Sequence, residues 1–245
     1  MLFRSICDVR QLIVVDLQQG WRCNLRLNAA DAFIVRVDQR DADVILSLRD
    51  ASGRETLAVD SPTKRASAEV LLAGPRLTGK YTLSVRAKPG VASAQRASVT
   101  LERVDKASAL LEGLAEMTRA AAPDERQTPQ SGKERIAQLQ TALAQLQSAG
   151  AKQWQAEVSL RIAATYYWVV NDLAAAAASA RLAMDEFSQI GDVVGNAQAA
   201  IIHAAAAMEI ATAAKAPRAR GRAAVAQSPP IWRSEERRVG KECRS

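Results

Sequence analysis

Apolar side chains recur with a helical period over the second half of the chain. A helix beginning at Gln153, an Asn171–Asp172 turn and a second helix ending at Gly191 form one predicted hairpin. Asparagine accepts left-handed backbone angles, which suits the residue to such a turn. Part of the pattern returns 41 residues downstream. The equivalent pairs are Gly150 and Gly191, Ala142 and Ala183, Leu146 and Phe187, Ala156 and Ala197, Leu160 and Ile201, and Ala164 and Ala205. Repetition at this period predicts stacked hairpins, each burying its apolar face against the next. An ordinary alanine-rich helical bundle is the alternative.

Between Gln11 and Val104 the period changes to alternation, which predicts strands with one face on a core and one towards water. The alternating stretches are 33–38, 44–49, 81–86 and 99–102. Turn-forming residues separate them, as in Asp50 to Gly53 and Pro89-Gly90. Seven or eight short strands at this spacing predict an antiparallel β-sandwich. The expected fold is therefore α+β with two domains, a sandwich over 1–105 and helical repeats over 106–214.

Two further helices are predicted before the hairpin. Lys106–Arg119 places Leu110, Leu111, Leu114 and Met117 on one face, and Lys133–Ala149 follows after a proline-containing loop at 120–132. By the repeat offset, the 133–149 helix corresponds to the second helix of a hairpin. Its expected partner is the 106–119 helix; the alternative is that this helix packs on the sandwich.

The hairpin carries a family pattern at Leu160, Ala163, Ala164, Tyr167, Asn171, Asp172, Ala176, Ala180 and Ala183. This pattern resembles the tetratricopeptide family in the slightly long form of bacterial arrays. The resemblance implies a concave groove, lined by the first helix of each hairpin, that binds a protein or peptide. The matching groove positions are Val158, Arg161, Thr165, Trp168, Ala199, Ile202, Ala206 and Glu209. Arg161 and Trp168 are the expected anchors, because arginine and tryptophan supply much of the energy at interfaces. Packing of Trp168 against a neighbouring hairpin is the alternative.

The strand region also carries motifs in a recognisable order, at Val35 to Val37, Asp43-Val44, Asp50 to Gly53 and Gly79 to Leu83. They resemble bacterial pre-peptidase-type domains, which implies a jelly-roll-like sandwich. Together with the hairpins, the layout over 11–211 resembles the front half of bacterial CHAT-domain proteins, which end in a caspase-like peptidase. That resemblance implies a regulatory module placed before an effector domain.

Charge is unevenly distributed along the chain. The net charge is +7, of which residues 211–245 carry +6, whereas 106–210 are mildly acidic. Residues 215–232 are interpreted as a disordered or out-of-frame tail, because proline and glycine there oppose a helix. The stretch Arg233 to Cys243 resembles a translated sequencing adapter, so 233–245 are interpreted as an artefact. We therefore expect the natural reading frame to end before Arg233 and the gene to continue.

Catalytic and metal-binding patterns are not expected. Cys7, Cys23 and Cys243 lack metal-ligand spacing, and Cys23 is expected to pack in a strand as a small apolar side chain. The single histidine, His203, has no cysteine or second histidine at ligand spacing. Among acidic residues, Asp41, Asp43, Asp50 and Asp60 are better explained as turn caps than as a calcium site. No cofactor or metal is predicted.

The leading prediction is a non-enzymatic scaffold that binds a protein or peptide, as the front part of a larger CHAT-type protein. The alternatives are a complete stand-alone adaptor and a nucleic-acid binder that uses the basic tail. No nucleic-acid partner is expected, because the basic excess does not lie on a structured element. No stretch approaches 18 uninterrupted apolar residues, so no membrane span is expected. The early charge at Arg4 argues against a secretory signal, so the chain is cytoplasmic or lacks its true start, and the compartment stays open.

Overall fold

A computed structural model of the 245-residue chain describes residues 5–6, 12–17, 20–29, 31–38, 43–61, 68–74, 77–88, 96–104, 108–123 and 127–226. The chain divides into two compact units, Met1–Ala207 and Met208–Ser245. All described strands and the first four helices belong to the first unit. The ranges 1–105 and 106–214 for two separate domains stay a prediction.

The described strands form two sheets. The strands are β1 (Ser5–Ile6), β2 (Leu12–Asp16), β3 (Trp21–Leu27), β4 (Phe33–Asp38), β5 (Val44–Asp50), β6 (Glu55–Val59), β7 (Glu69–Ala73), β8 (Gly79–Ala87) and β9 (Arg96–Arg103). One sheet has the order β1-β3-β8-β5-β6, and the other has the order β2-β9-β4-β7. The described pairs are antiparallel, except that β1 runs parallel to β3.

The helices follow the strands. They are α1 (Ser108–Ala120), α2 (Pro129–Ser148), α3 (Lys152–Thr165), α4 (Leu173–Ile190) and α5 (Val193–Ala226), and a π-helical turn at Tyr166–Val170 continues α3. Helix α2 begins before the predicted Lys133, inside the predicted loop. The Thr128 hydroxyl accepts a hydrogen bond from the Ser131 amide at 3.1 Å, and Pro129 stands in the first turn, where its missing N–H costs nothing.

The two sheets face each other across one apolar core. Leu46 of β5 and Leu83 of β8 pack there with Val35 of β4 and Val99 of β9. These side chains occupy the predicted alternating positions, so the α+β class and the strands at 33–38, 44–49, 81–86 and 99–102 are confirmed. Cys23 is buried in the same core, as expected, but it is disulfide-bonded, and its partner cysteine lies outside the described residues.

A second core lies on the other side of the β4–β7 pair. Ile34, Val70 and Leu72 point away from the first core and pack against α1, α2 and α3. Strand β7 is therefore buried on both faces, and the expectation that one face meets water is wrong for it. On β4 the outer face is buried at Ile34, whereas Arg36 and Asp38 are half-buried. The near-continuous apolar run of β7, Val70 to Ala73, is typical of a strand buried on both faces.

Helix α1 packs against both of the partners considered for it. Leu114 and Met117 lie with Leu139 and Leu146 of α2 in the second core, so the expected pairing with α2 is confirmed. The same helix also lies on β7, where the Leu72 amide donates to the Thr118 hydroxyl at 3.0 Å. The two proposed packings are thus compatible.

The predicted hairpin is present in α3 and α4. Asn171 has a left-handed φ of 59°, and the Asp172 side chain caps α4 by accepting from the Ala175 amide at 3.0 Å. Helix α4 ends at Gly191, whose φ is 72°, while the Asp192 amide donates to the Phe187 carbonyl at 3.0 Å. The chain therefore turns where the sequence predicts.

Helix α5 extends past the predicted end of the repeats. Its backbone is helical to Ala226, so the prediction of a non-helical tail is wrong for 215–226. The alanine- and arginine-rich composition there has a high intrinsic helix propensity, which offsets the unfavourable propensities of Pro217 and Gly221. Residues 227–245, including the adapter-like stretch, lie outside the described residues.

Candidate functional site

The predicted groove positions on α3 do not line an open groove. Val158, Arg161 and Thr165 are all buried, and Val158 packs in the second core against the outer face of the β4–β7 pair. The Thr165 hydroxyl donates to the Arg161 carbonyl of its own helix at 2.8 Å. The prediction of a groove here is wrong, because the sheet covers the face that the repeat pattern left free.

Arg161 instead forms the centre of a polar junction between the helices and the sheet. It is only 2% exposed, and its Nη2 donates to the Ala68 carbonyl and lies 3.5 Å from the Glu157 carboxylate. Its Nε and Nη1 have no hydrogen-bond partner among the described residues. A buried guanidinium with two unbonded nitrogens is costly unless carboxylates offset its charge. Arg161 therefore joins the two layers of the fold.

Glu69 of β7 supplies further negative charge at this junction. It is fully buried and accepts hydrogen bonds from the Ser61 amide at 2.9 Å and the Ser61 hydroxyl at 2.7 Å. Burial raises the pKa of the Glu69 carboxyl above its ordinary value, while the positive charge of Arg161 opposes that rise. The junction therefore contains one buried acid whose neutral form is favoured by burial.

The remaining predicted groove residues fall into three different environments. Trp168 is half-buried and stacks edge-to-face on Tyr167 with ring centroids 5.4 Å apart, beside the core between α3 and α4. Ile202 and Ala199 are buried in that core. Ala206 is also buried, whereas Glu209 is exposed on the segment of α5 from Met208 onward. Within the first unit, the structure does not bring these residues together into one exposed surface.

The side of α5 opposite the buried Ala199 and Ile202 is apolar and exposed. We call this side the α5 face and define it by Val193, Val194, Ala197, Ile201 and Ala205. Val193 is 79% exposed, Val194 55% and Ile201 67%, while Ala197 is exposed and Ala205 half-buried. A helical period of 3.6 residues places all five within about a third of the helix circumference. No Asp, Glu, Lys or Arg occurs between Val193 and Ala207, so the α5 face carries no full charge.

The α5 face is the counterpart of a buried face on α3. At the 41-residue offset, Ala197, Ile201 and Ala205 correspond to Ala156, Leu160 and Ala164. Those three residues of α3 have no exposed area and pack with Ala180, Ala183 and Phe187 of α4. The 41-residue offset therefore relates buried positions of α3 to positions of α5 that are exposed or half-buried.

Gly195 fixes the covered side of α5. A Cβ at this position would lie 2.4 Å from the Phe187 ring, so only glycine allows that ring to reach the α5 backbone. The Asp192 carboxylate accepts from the Gly195 amide at 2.9 Å and begins the helix. Sequence analysis missed this contact, although a glycine inside a helical pattern signals close packing.

A polar opening of about 290 Å³ lies beside the junction. Arg36, Asp38, Gln153, Glu157, Asp192 and Gln198 are among the residues that line it. Within the described ranges, no group of three His, Cys, Asp or Glu side chains is arranged to hold a metal ion. Of the aspartates considered for calcium, Asp50 caps its own turn and Asp60 pairs with Lys88 at 2.8 Å, while Asp41 lies outside the described residues. The Nδ1 atom of His203 lies 3.1 Å from the Ala177 carbonyl.

Among the residues that the structure describes, one stretch of helix, Val193–Ala214, is long and apolar enough to cross a membrane by length and composition alone. Buried Ala199 and Ile202, which pack on α4, belong to this stretch. The expectation of no membrane span stays a prediction. No protein-family model matches the sequence, and no curated protein compared with it shows significant similarity.

Proposed function

We propose that the chain is a non-catalytic scaffold for protein recognition, with tetratricopeptide-like hairpins beside a jelly-roll-like sandwich, and that the α5 face binds the partner. The α5 face carries this proposal, because a capped helix exposes Val193, Val194 and Ile201 together without a charged neighbour. Contiguous exposed apolar side chains on a folded protein mark interaction surfaces more often than single ones do.

The proposal moves the recognition surface from α3 to α5. The sheet covers the predicted groove side of α3. The α5 face, in contrast, has no partner among the described residues of the first unit. The edge strand β2 also exposes two apolar side chains, Leu12 and Val14, but only along one strand. The α5 face is therefore the stronger candidate.

A matched pair of variants tests this assignment in the full chain. We expect Ile201→Asp to abolish retention of a protein from the source organism that the wild-type chain retains. Leu182→Asp is the control, because Leu182 is 50% exposed on α4 and lies outside the α5 face. The retained protein is identified by mass spectrometry, purified and titrated against both variants. Equal binding by Ile201→Asp and the wild type would refute the proposal.

The resemblance to CHAT-type proteins supports a second part of the proposal, namely that the scaffold regulates an effector encoded by the same gene. Reading the genomic locus past the codon for Ala214 tests this part. In-frame hairpins followed by a domain with a histidine–cysteine dyad would support it. A stop codon at that point would support the stand-alone adaptor instead.

A further inference from the structure

We propose that the polar opening beside the junction binds a small organic cation through a protonated amine or guanidinium group, and that the Glu157 carboxylate receives this group. The opening lies within the first unit, and of the residues that define the α5 face only Val194 lines it. This second site is therefore separate from the surface in the proposed function and does not depend on it. The burial, charge and position of the lining side chains support it.

Three elements of the first unit meet around the opening. Strand β4 contributes Arg36 and Asp38, which point to the same face because they are two residues apart. Helix α3 contributes Gln153 and Glu157, which lie one turn apart on one side of the helix. Asp192, the residue before α5, completes the acidic part of the lining. A volume of about 290 Å³ lies close to the lower limit of ligand pockets in proteins, so the opening suits a small molecule.

The Glu157 carboxylate is buried in the wall of this opening. Glu157 is 3% exposed, and in the described ranges the side chain within hydrogen-bonding distance of its carboxylate is Arg161, at 3.5 Å. That distance is at the outer limit of a hydrogen bond, and the same Nη2 atom also donates to the Ala68 carbonyl. An ionised carboxylate accepts several hydrogen bonds. Because a buried charge is stable only when it is paired and hydrogen-bonded, Glu157 has acceptor capacity left for a ligand in the opening.

The charges around the opening favour a cation over an anion. Its lining carries the three carboxylates of Asp38, Glu157 and Asp192 against the one guanidinium of Arg36. The first turn of a helix attracts anions through its free amides. In α5 this position is already taken, because the Asp192 carboxylate accepts from the Gly195 amide at 2.9 Å. A positively charged ligand therefore fits the opening best.

The arrangement suits an organic cation better than a metal ion. Within the described ranges, no three acidic, cysteine or histidine side chains are grouped to hold a metal. The carboxylates lie on different elements around the opening, so they suit a ligand with several N–H donors. The Gln153 and Gln198 amides also line the opening and accept hydrogen bonds, and Val194 offers apolar contact to a short aliphatic chain. Free amines and the lysine or arginine side chains of proteins share this chemistry.

The test uses the full chain and one probe for each source. Agmatine represents a free amine, because it carries a guanidinium and an ammonium group on a short aliphatic chain. The capped peptide acetyl-Gly-Arg-Gly-amide represents an arginine side chain of a protein, without charged termini. Isothermal titration calorimetry at low salt measures both. We expect saturable binding of at least one probe, and the probe that binds identifies the source. Binding of neither probe would overturn the proposal.

A matched pair of variants tests the role of Glu157. Glu157→Gln keeps the size of the side chain and removes its charge. We expect the probe to bind at least about tenfold more weakly to this variant, because a charge-assisted hydrogen bond is lost. Glu55→Gln is the control, since Glu55 is exposed on β6 and does not line the opening. Equal weakening by both variants, or by neither, would show that the probe does not bind at Glu157 and would overturn the proposal.

A second variant keeps the test valid if Glu157→Gln fails to fold. Asp192→Asn removes a carboxylate from the opening but retains a helix-capping residue of similar strength, so α5 should begin as before. We expect about threefold weaker binding, because this carboxylate is partly engaged by the Gly195 amide. Unchanged affinity in Asp192→Asn would overturn the proposal whether or not Glu157→Gln folds.

Ile201→Asp distinguishes this site from the α5 face. Ile201 does not line the opening, so this variant should bind the probe as the wild type does. Loss of probe binding in Ile201→Asp would place the ligand on the α5 face and overturn the proposal. If neither probe binds, while a protein partner is still lost in Ile201→Asp, the cation site is refuted and the proposed function stands.

Discussion

Helices α3 and α5 carry similar apolar patterns 41 residues apart but lie in different surroundings. Every side chain from Ala156 to Thr165 of α3 is buried, because α4 covers one side and the sheet with α1 and α2 covers the other. Within the first unit, α5 buries Ala199, Ile202 and Ala206 but exposes Val193, Val194 and Ile201. The repeat pattern therefore defines which faces are apolar, whereas the neighbouring elements decide which faces are available for binding.

The largest expected difference between the two helices is the loss of unfolding free energy when a charged side chain is placed at equivalent positions. Leu160→Asp places an unpaired carboxylate in a closed core and should lower the free energy of unfolding by more than about 4 kcal/mol. Ile201→Asp should change it by less than about 0.5 kcal/mol, because Ile201 is already solvated. Urea unfolding of the full chain measures both. Similar losses in the two variants would show that the α5 face is covered.

A second comparison concerns Arg161 and Ile202, which are also 41 residues apart and are both buried. Arg161→Ala leaves the buried Glu157 carboxylate without its cation, and we expect a loss of about 3–5 kcal/mol in unfolding free energy. Ile202→Val removes one methyl group, and the expected loss is about 0.5–1.5 kcal/mol. An Arg161→Ala loss within the Ile202→Val range would show that the polar junction contributes little.

A smaller effect is expected from enlarging equivalent alanines. Ala156→Leu overfills the space between α3 and α4, which should cost about 1–3 kcal/mol of stability. Ala197→Leu adds the same atoms to an exposed position and should be neutral within about 0.5 kcal/mol. Thermal and urea unfolding of the two variants provide the measurement. A destabilising Ala197→Leu would indicate that the α5 face is confined.

The smallest expected effect is a pH dependence of the stability that arises from Glu69, at the polar junction beside α3. The pKa of Glu69 is raised in the fold, so the folded state binds its proton more tightly than the unfolded state does. Its stabilising contribution is present below the ordinary value of 4.5 and is lost as pH rises through the raised pKa. Stability of the wild type should therefore fall over that window relative to Glu69→Gln.

Glu186 provides the control for this measurement, because burial raises its pKa as well and the Ser159 hydroxyl opposes the rise. Glu186→Gln should remove only the part of the pH dependence of stability that Glu186 contributes at the α3–α4 interface. The groups that act on the pKa of Glu69 include Arg161, Ser61 and Asp60. A Glu69→Gln variant with the wild-type pH profile would show that the acid is solvated.

Local features of the fold could be predicted from the sequence, because short-range chemistry determines them. Asn171 and Asp172 form the expected turn and cap, and the alternating strands occupy the expected ranges. The groove on α3 could not be predicted in this way. Its covering depends on β7, which is far away in sequence and carries no repeat pattern.

Two features of the sequence could have indicated the covered face of α3. The stretch from Val158 to Ala164 is apolar or small on nearly every side, which is typical of a central helix. Within it, Glu157 and Arg161 stand four residues apart, a spacing that allows a buried ion pair within one helix. The exposed state of the α5 face does have an indicator, because Thr212 and Ala213 stand where the next Asn-Asp turn would be needed to bring a covering helix.

Because β7 is buried on both faces, the strands and the helices of the first unit depend on each other to cover it. A recombinant piece ending before α1 would present Ile34, Val70 and Leu72 to water, and such a piece should aggregate rather than remain as a soluble sandwich. Gene rearrangements that exchange whole modules would therefore have to transfer the strands and the first three helices together.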